Sequence, residues 1–279
     1  MIPTINPVTT GRDATAEEFL DAASAAGFPA VDYTIVPFYD TYKKQSFAAA
    51  EDMLASRALK LGAFGLPVEF RREEATFREQ FSRLDDMARF ASDLGVDRCV
   101  TWLFPATDEP VAELTSRYIR RLRECARALD AYGIRFGIEW VGPKTLRTLK
   151  HDFIHTLPGV LEMIDAIDMP NVGVLFDSFH WFTSGATRED ILKLKPEQIV
   201  LVHINDAPPA PADEQIDDQR LLPGEGIIDL NGMLSALEEV GYDSYLSIET
   251  FSDSLPLLGS REAARRAKHA LDRVLADRR

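Results

Sequence analysis

The stretch Ile134–Trp140 reads IRFGIEW, an apolar run that ends in a carboxylate, Glu139, and is followed closely by Gly142 and Pro143. Such a run, bounded by turn residues, is typical of a buried β-strand. A glutamate at its end is unexpected, because moving a carboxylate out of water costs free energy unless a partner offsets the charge. The stretch therefore predicts a strand that delivers an acidic side chain to a site with a compensating group.

The same pattern recurs three times further along the chain. Each time a strand-like run ends in a side chain with an oxygen or nitrogen ligand: VGVLFD in Asp177, IVLVH in His203 and YLSIE in Glu249. Three carboxylates brought together would repel one another and raise one another's pKa values, so a bound cation is the expected remedy. Oxygen ligands with one imidazole favour Mn²⁺, with Mg²⁺, Co²⁺ and Zn²⁺ as further candidates. We therefore predict one divalent metal ion held by Glu139, Asp177, His203 and Glu249.

Apolar runs alternate with amphipathic segments along the whole chain, which is typical of βα units around a parallel sheet. The 279 residues suit a single (β/α)8 barrel domain of about 250 residues, spanning 1–279. Helices are expected between the strands, among them single helices over 45–59 and 73–94, and 207–226 is a candidate active-site loop. The predicted strands are 2–7, 30–36, 61–66, 98–103, 135–139, 172–177, 199–204 and 244–249.

Composition excludes several classes of function. The net charge of −14 argues against a nucleic-acid or membrane partner, because both kinds of surface are bound through basic clusters. No apolar run approaches the roughly 20 residues of a membrane span, and Met1 leads into IPTINP without a signal segment. Cys99 and Cys125 lack a metal-binding spacing, which fits two buried thiols in a reducing compartment. We therefore expect a cytoplasmic enzyme.

Residues beside the predicted strand ends are weaker candidates for substrate contacts. Trp102 lies where an aromatic wall often shapes a sugar pocket, although core packing explains it equally well. Lys144 and Arg147 follow the fifth strand and could bind an anionic group of the substrate or pair with acidic neighbours. Asp206 and Asp229 are interpreted as structural or supporting groups rather than as ligands.

Five segments together resemble the sugar phosphate isomerase/epimerase superfamily, the xylose isomerase-like barrels: GIEWVGPKTLR, NVGVLFDSFHWFTSG, VHINDAP, RLLPGEGIIDL and LSIETF. The resemblance covers the whole chain. Within the superfamily, the chain is most similar to the inosose isomerase-like and ketose 3-epimerase branch. It implies the same four metal ligands, and it makes Glu139 and Glu249 the pair that exchanges protons from opposite faces of the substrate. It also implies that His180 contacts a substrate oxygen and that Arg220 binds a substrate hydroxyl or carbonyl.

The activity implied by the resemblance is a metal-dependent isomerase or epimerase of a sugar, sugar phosphate or inosose. A glutamate would remove a proton beside a carbonyl group, and the cation would stabilise the resulting enediolate. Return of a proton to the opposite face gives an epimer, transfer to the neighbouring carbon gives an aldose–ketose isomer, and loss of a hydroxyl gives a dehydrated product.

Three alternatives remain open at this point. The first is a metal-dependent lyase on the same scaffold, acting on an inosose, 3-dehydroshikimate or a 3-keto-glycoside. The second is a DNA-repair endonuclease with three zinc ions, which five histidines and a charge of −14 disfavour. The third is a non-catalytic sugar-binding module, which the two strand-end glutamates disfavour. Look-alikes are usually dimers or tetramers, so a homo-oligomer is compatible with the resemblance.

Overall fold

The computed structural model describes residues 1–11 and 13–277, and within them eight parallel strands close into a barrel. Each strand pairs with the next along the chain, and the last pairs with the first, with Ile248 opposite Ile5. The predicted (β/α)8 barrel is thereby confirmed. The strands are β1 Ile2–Ile5, β2 Ala30–Asp32, β3 Lys60–Gly65, β4 Arg98–Leu103, β5 Arg135–Trp140, β6 Val172–Asp177, β7 Ile199–Ile204 and β8 Tyr245–Ile248.

Eleven α-helices accompany the strands in the described part of the chain. They are α1 Ala16–Ala25, α2 Val36–Lys44, α3 Phe47–Ala55, α4 Glu74–Phe81, α5 Leu84–Asp93, α6 Val111–Asp130, α7 Leu157–Ile167, α8 Ser178–Thr183, α9 Arg188–Ile191, α10 Leu230–Glu239 and α11 Ser260–Ala276. Within residues 1–11 and 13–277, none of these helices is long and apolar enough to cross a membrane.

The interior of the barrel is filled by apolar side chains from separate strands. Ala63, Val100, Leu175 and Leu201 come from β3, β4, β6 and β7 and form one buried cluster. Side chains two residues apart on a strand face the same way. The side chains that follow this cluster on the same faces, toward the C-terminal ends of the strands, are Trp102, Asp177 and His203.

The helix predicted over 73–94 is two helices, α4 and α5. The hydroxyl of Ser82 donates to the carbonyl of Glu79 over 2.7 Å. This local bond competes with continuation of the helix, which resumes at Leu84. The expectation of one uninterrupted helix was therefore wrong.

The region after β2 also differs from the prediction. The strand ends at Asp32 instead of residue 36, because Val36 and Pro37 begin α2, where proline is favoured in the first turn. Ser46 then caps α3 by accepting a hydrogen bond from the amide of Ala49 over 3.1 Å. The single helix expected over 45–59 is present as the shorter α3, and α2 is an additional helix that the sequence did not predict.

Candidate metal centre and active-site cleft

Four side chains meet at the C-terminal rim of the barrel. Glu139 is the second-to-last residue of β5, Asp177 ends β6, His203 is the second-to-last residue of β7, and Glu249 directly follows β8. One ligand atom from each lies within 4.8 Å of the others. Among residues 1–11 and 13–277, they form the one group of this kind. The structure therefore brings together the four side chains that the strand-end pattern singled out.

Glu139 is the most isolated member of the cluster. Its side chain is buried, and its Oε1 atom has no hydrogen-bond partner. Burial raises the pKa of this carboxyl well above its usual value, and the charges of Glu249 and Asp177 raise it further. A carboxylate in this position is stable only when a positive group lies beside it.

Asp177 is fixed by the turn from β6 into α8. Its Oδ1 atom accepts hydrogen bonds from the amides of Phe179 over 2.7 Å and His180 over 3.1 Å, so it caps the helix. Its Oδ2 atom accepts from Nδ2 of Asn205 over 2.9 Å and from Nη1 of Arg220 over 3.1 Å. The carboxylate is held in one orientation by partners on both oxygens.

His203 is oriented by a residue that the sequence did not reveal, Asp32. The imidazole Nε2 donates to Oδ2 of Asp32 over 2.8 Å, and Nδ2 of Asn6 donates to the same oxygen over 2.9 Å. Because Nε2 carries the proton, the lone pair of a neutral ring lies on Nδ1. Nδ1 makes no hydrogen bond, although Oε2 of Glu249 lies 3.2 Å away and Oε1 of Glu139 3.8 Å away.

The protonation of His203 reflects opposing influences. Burial lowers the pKa of the imidazole, but the charge of Glu249 and the hydrogen bond to Asp32 raise it more, so the net pKa lies well above the usual value. The surrounding carboxylates therefore favour a positive charge on the ring. A metal ion would supply that positive charge instead, with the ring neutral.

Glu249 lies beside His203 and Arg220. Its Oε2 atom lies 3.2 Å from Nδ1 of His203 and 3.3 Å from Nη1 of Arg220. Burial raises the pKa of this carboxyl, but His203 and Arg220 lower it more, to about 2. Glu139 and Glu249 therefore differ in their surroundings, although both belong to one cluster.

Arg220 is buried beside the cluster, stacked between the rings of Phe179 and Phe251 at 5.0 and 4.5 Å. Its Nη2 atom donates to Oδ1 of Asp217 over 2.8 Å, and Nε2 of His180 lies 3.3 Å from the same nitrogen. Burial lowers the pKa of His180. The structure thus places the two residues that were predicted to bind substrate side by side at the wall of the cleft.

The cluster opens into a cleft with two lobes. Glu139, Glu249 and Trp102 line both of them. The smaller lobe, of about 210 Å³, is also lined by Asn6, Asp32, Tyr33, Thr34, Thr101 and His203. The larger lobe, of about 330 Å³, is also lined by Phe104, Val141, Leu146, His180, Arg220 and Phe251, with Asp217 and Asp218 at its side.

The remaining candidates lie in different surroundings. Trp102 is 43% exposed and stacks on the guanidinium of Arg71 at 4.1 Å, at the junction of the two lobes. Lys144 does not line the cleft. Its Nζ atom pairs instead with Oδ2 of Asp213 over 2.8 Å, and both side chains are exposed. The structure therefore does not bring Lys144 to the cleft, and its position gives no support to the predicted contact with substrate.

Asp206 organises the loop that carries Arg220. Its carboxylate accepts hydrogen bonds from the amides of Gly224, Gly226 and Ile228, each over 2.9–3.0 Å. A Cβ atom on Gly226 would lie 2.1 Å from the carbonyl oxygen of Ala207, so only glycine fits there. The loop is thus folded tightly against the end of β7, and Asp206 acts as its structural anchor.

The donor set fits a divalent cation. Three carboxylates and one imidazole nitrogen surround one point, and two of their buried atoms, Oε1 of Glu139 and Nδ1 of His203, have no hydrogen-bond partner. Buried polar atoms are rarely left unpaired without a reason such as an absent ion. Asp32 supplies the carboxylate that commonly orients a metal-binding histidine.

Comparison with known proteins gives consistent matches. Residues 20–275 match the family described as xylose isomerase-like TIM barrel. A xylose isomerase domain protein from Alicyclobacillus acidocaldarius is 33% identical, with a TM-score of 0.91 over 99% of this chain and 98% of its own. A crystal structure of the IolI protein with a zinc atom is 25% identical, with a TM-score of 0.82 over 100% of this chain and 99% of its own.

Relatives with established names are enzymes. The inosose isomerase of Bacillus velezensis is 26% identical over 275 residues, which cover 97% of this chain and 96% of the relative. The 3-dehydroshikimate dehydratase of Pseudomonas putida is 26% identical over 92% of this chain and 39% of its own length. These matches identify the chain as an enzyme, and the predicted resemblance is confirmed: the chain belongs to the family of xylose isomerase-like TIM barrels.

Proposed function

We propose that this enzyme is a divalent-metal-dependent isomerase or epimerase that moves a proton on the carbon beside the carbonyl group of a small polyhydroxy compound. One observation carries the proposal: Glu139 and Glu249 both belong to the four-residue cluster, and both line each lobe of the cleft. A compound bound in either lobe would therefore lie beside both acidic side chains. The inosose isomerase relative supports a substrate of this class.

Glu139, Asp177, His203 and Glu249 would hold the metal ion. When bound, a divalent cation polarises a carbonyl oxygen and stabilises the negative charge that develops there. One glutamate removes the proton from carbon, and the other returns it. Return from the opposite face inverts the carbon and gives an epimer, whereas return to the adjacent carbon gives the aldose–ketose isomer.

Other residues of the cleft bind and orient the substrate in this proposal. His180 and Arg220 lie together at the wall of the larger lobe, where their nitrogens can contact substrate oxygens. Arg220 also contacts Asp177 and Glu249, so it holds two members of the cluster in place. Trp102 forms an aromatic wall against the carbon–hydrogen face of the compound.

We propose Mn²⁺ as the working ion, because oxygen-rich donor sets suit it. The zinc atom in the IolI crystal structure supports Zn²⁺ as the main alternative, with Mg²⁺ and Co²⁺ behind it. Elemental analysis of the purified protein, followed by activity after reconstitution with each ion, distinguishes them. We also propose a role in carbohydrate metabolism in the cytoplasm, which localisation of the tagged protein would test.

The reaction is tested by incubating the reconstituted enzyme in deuterium oxide with a panel of ketoses and inososes. The proposal is supported if deuterium is incorporated at the carbon beside the carbonyl and the product is, apart from that deuterium, an isomer of the substrate. The dehydratase relative supports elimination as a second candidate reaction, in which the same glutamates would help a hydroxyl to leave. Products that lack one water molecule would favour that reaction, and an absence of both outcomes across the panel would contradict the proposal.

A further inference from the structure

The cleft is rich in negative charge. Five carboxylates line its two lobes, and Asp177, a member of the four-residue cluster, adds a sixth beside them. The described lining residues include one arginine, Arg220, and no lysine. The five lining carboxylates are those of Asp32, Glu139, Asp217, Asp218 and Glu249.

The positive charge of Arg220 is already used within the protein. Its Nη1 atom lies 3.1 Å from Oδ2 of Asp177 and 3.3 Å from Oε2 of Glu249, and its Nη2 atom donates to Asp217 over 2.8 Å. Three carboxylates therefore share one guanidinium. An anionic ligand would have to compete with all three for it.

Two other cations at this end of the barrel are also paired. Arg71 lies under Trp102, where its Nη1 atom donates to Oε1 of Glu69 over 2.7 Å and its Nη2 atom donates to the carbonyl of Trp102. Lys144 pairs with Asp213 and does not line either lobe. Neither is a free counter-ion for a phosphate or carboxylate group in the cleft.

The rest of the lining suits an uncharged ligand. Tyr33 and Thr34 line the smaller lobe, and their side chains carry hydroxyl groups that can exchange hydrogen bonds with alcohol groups. The rings of Phe104 and Phe251 line the larger lobe, where they can pack on the apolar faces of a sugar. These are the partners that a neutral polyol requires.

We infer that the substrate is an uncharged polyhydroxy carbonyl compound, and that the cleft rejects the phosphorylated or carboxylated form of the same skeleton. The inference rests on the proposed function and narrows its substrate class. A divalent cation offsets only two of the six carboxylate charges and Arg220 a third, so an excess of negative charge remains around the ligand. Like charges at such short range repel strongly in a partly buried site.

The test compares matched pairs of probes on the metal-loaded enzyme: D-fructose with D-fructose 6-phosphate, and D-tagatose with D-tagatose 6-phosphate. Binding is measured by calorimetry and proton exchange by deuterium incorporation. We expect each phosphate ester to bind at least about tenfold more weakly than its parent at low salt, and the gap to shrink in about 1 M salt, where the screening length is about 3 Å. Equal or tighter binding of the esters would overturn the inference, and so would a failure of both free sugars to bind.

A pair of charge variants sharpens the test. Asp218→Asn removes an exposed carboxylate from the lining, and Glu214→Gln removes one from the same loop outside it. The ratio of ester to parent affinity should rise several-fold in Asp218→Asn and stay unchanged in Glu214→Gln, whereas equal ratios in both variants would count against the cleft as its origin. Binding and exchange report separately: sugars that bind in the expected order without exchanging deuterium contradict the proposed function alone, and esters that exchange as readily as sugars contradict this inference alone.

Discussion

Nε2 of His203 lies 2.8 Å from Oδ2 of Asp32, so the proton of the imidazole is held on the side that faces away from the carboxylate cluster. The free Nδ1 atom is the one that remains within reach of Glu139 and Glu249. Asp32 therefore selects which nitrogen can serve as a ligand, as carboxylates do in many metal sites.

We predict that Asp32→Asn lowers metal affinity by about 10- to 100-fold. The asparagine amide can donate to Nε2, which would move the imidazole proton to Nδ1 and block the ligand position. Calorimetric titration of the metal measures the affinity, and nitrogen NMR of the ring measures the tautomer. Asp229→Asn is the matched control, because Asp229 caps α10 outside the cleft and asparagine caps equally well. Equal metal affinity in both variants would contradict the role of Asp32.

The two glutamates should be indispensable for turnover. We predict that Glu139→Gln and Glu249→Gln each lower kcat by about 10²–10⁴-fold, since an amide can neither accept nor return the proton. Lys144→Ala should change neither kcat nor KM appreciably, because Lys144 pairs with Asp213 away from the cleft. Steady-state kinetics on the best substrate of the panel measures all three. Small and equal effects would show that the glutamates do not carry the chemistry.

Removing the metal should destabilise the protein. A ligand at about 100 times its Kd stabilises a fold by about 2.7 kcal/mol, so we expect chelation to lower Tm by roughly 5–10 °C. In the metal-free state, Glu139→Gln should have a higher Tm than the wild-type protein, because the substitution removes the unfavourable interaction of Glu139 with Glu249 and Asp177. Thermal unfolding of both proteins with and without chelator tests this. A wild-type Tm indifferent to chelation would mean that the four side chains hold no ion.

Gly226 offers a separate test of the loop that carries Arg220. We predict that Gly226→Ala destabilises the protein by about 1–3 kcal/mol, because its Cβ atom would overlap the carbonyl oxygen of Ala207. Gly65→Ala is the control, since nothing lies within 4 Å of the added carbon there. Chemical denaturation gives both values. If the two variants unfolded at the same denaturant concentration, the tight packing of the loop would be refuted.

The barrel and the convergence of four side chains could be predicted because both follow from local pattern. Each of these residues lies within one position of a strand end, and parallel strands bring their ends to one rim. Because consecutive strands are neighbours in the barrel, their order in the chain is enough to predict their order around it. The cluster was therefore visible in short segments that could be interpreted one at a time.

Asp32 escaped prediction for a different reason. Asp32 contacts a residue 171 positions away, and no short segment encodes that distance. Its only local signal was an acidic residue inside the buried triplet Ala30–Asp32. Lys144 was expected either to bind an anionic group of the substrate or to pair with an acidic neighbour, and its Nζ atom pairs with Asp213, 69 residues further on.

The error over 73–94 arose from the hydrogen bond of a single hydroxyl group. Ser82 interrupts a segment whose apolar spacing is helical on both sides. Apolar periodicity survives such interruptions, so it predicts the buried face of a helix better than its ends.

Closure of the barrel between β1 and β8 has a consequence for biogenesis. Glu249 directly follows the last strand, whereas Asp32 ends the second, so two residues far apart in the chain contribute to one small volume. A nascent polypeptide cannot complete this constellation until residue 249 has left the ribosome. Loading with a cofactor ion would then come late, after all eight strands have been synthesised.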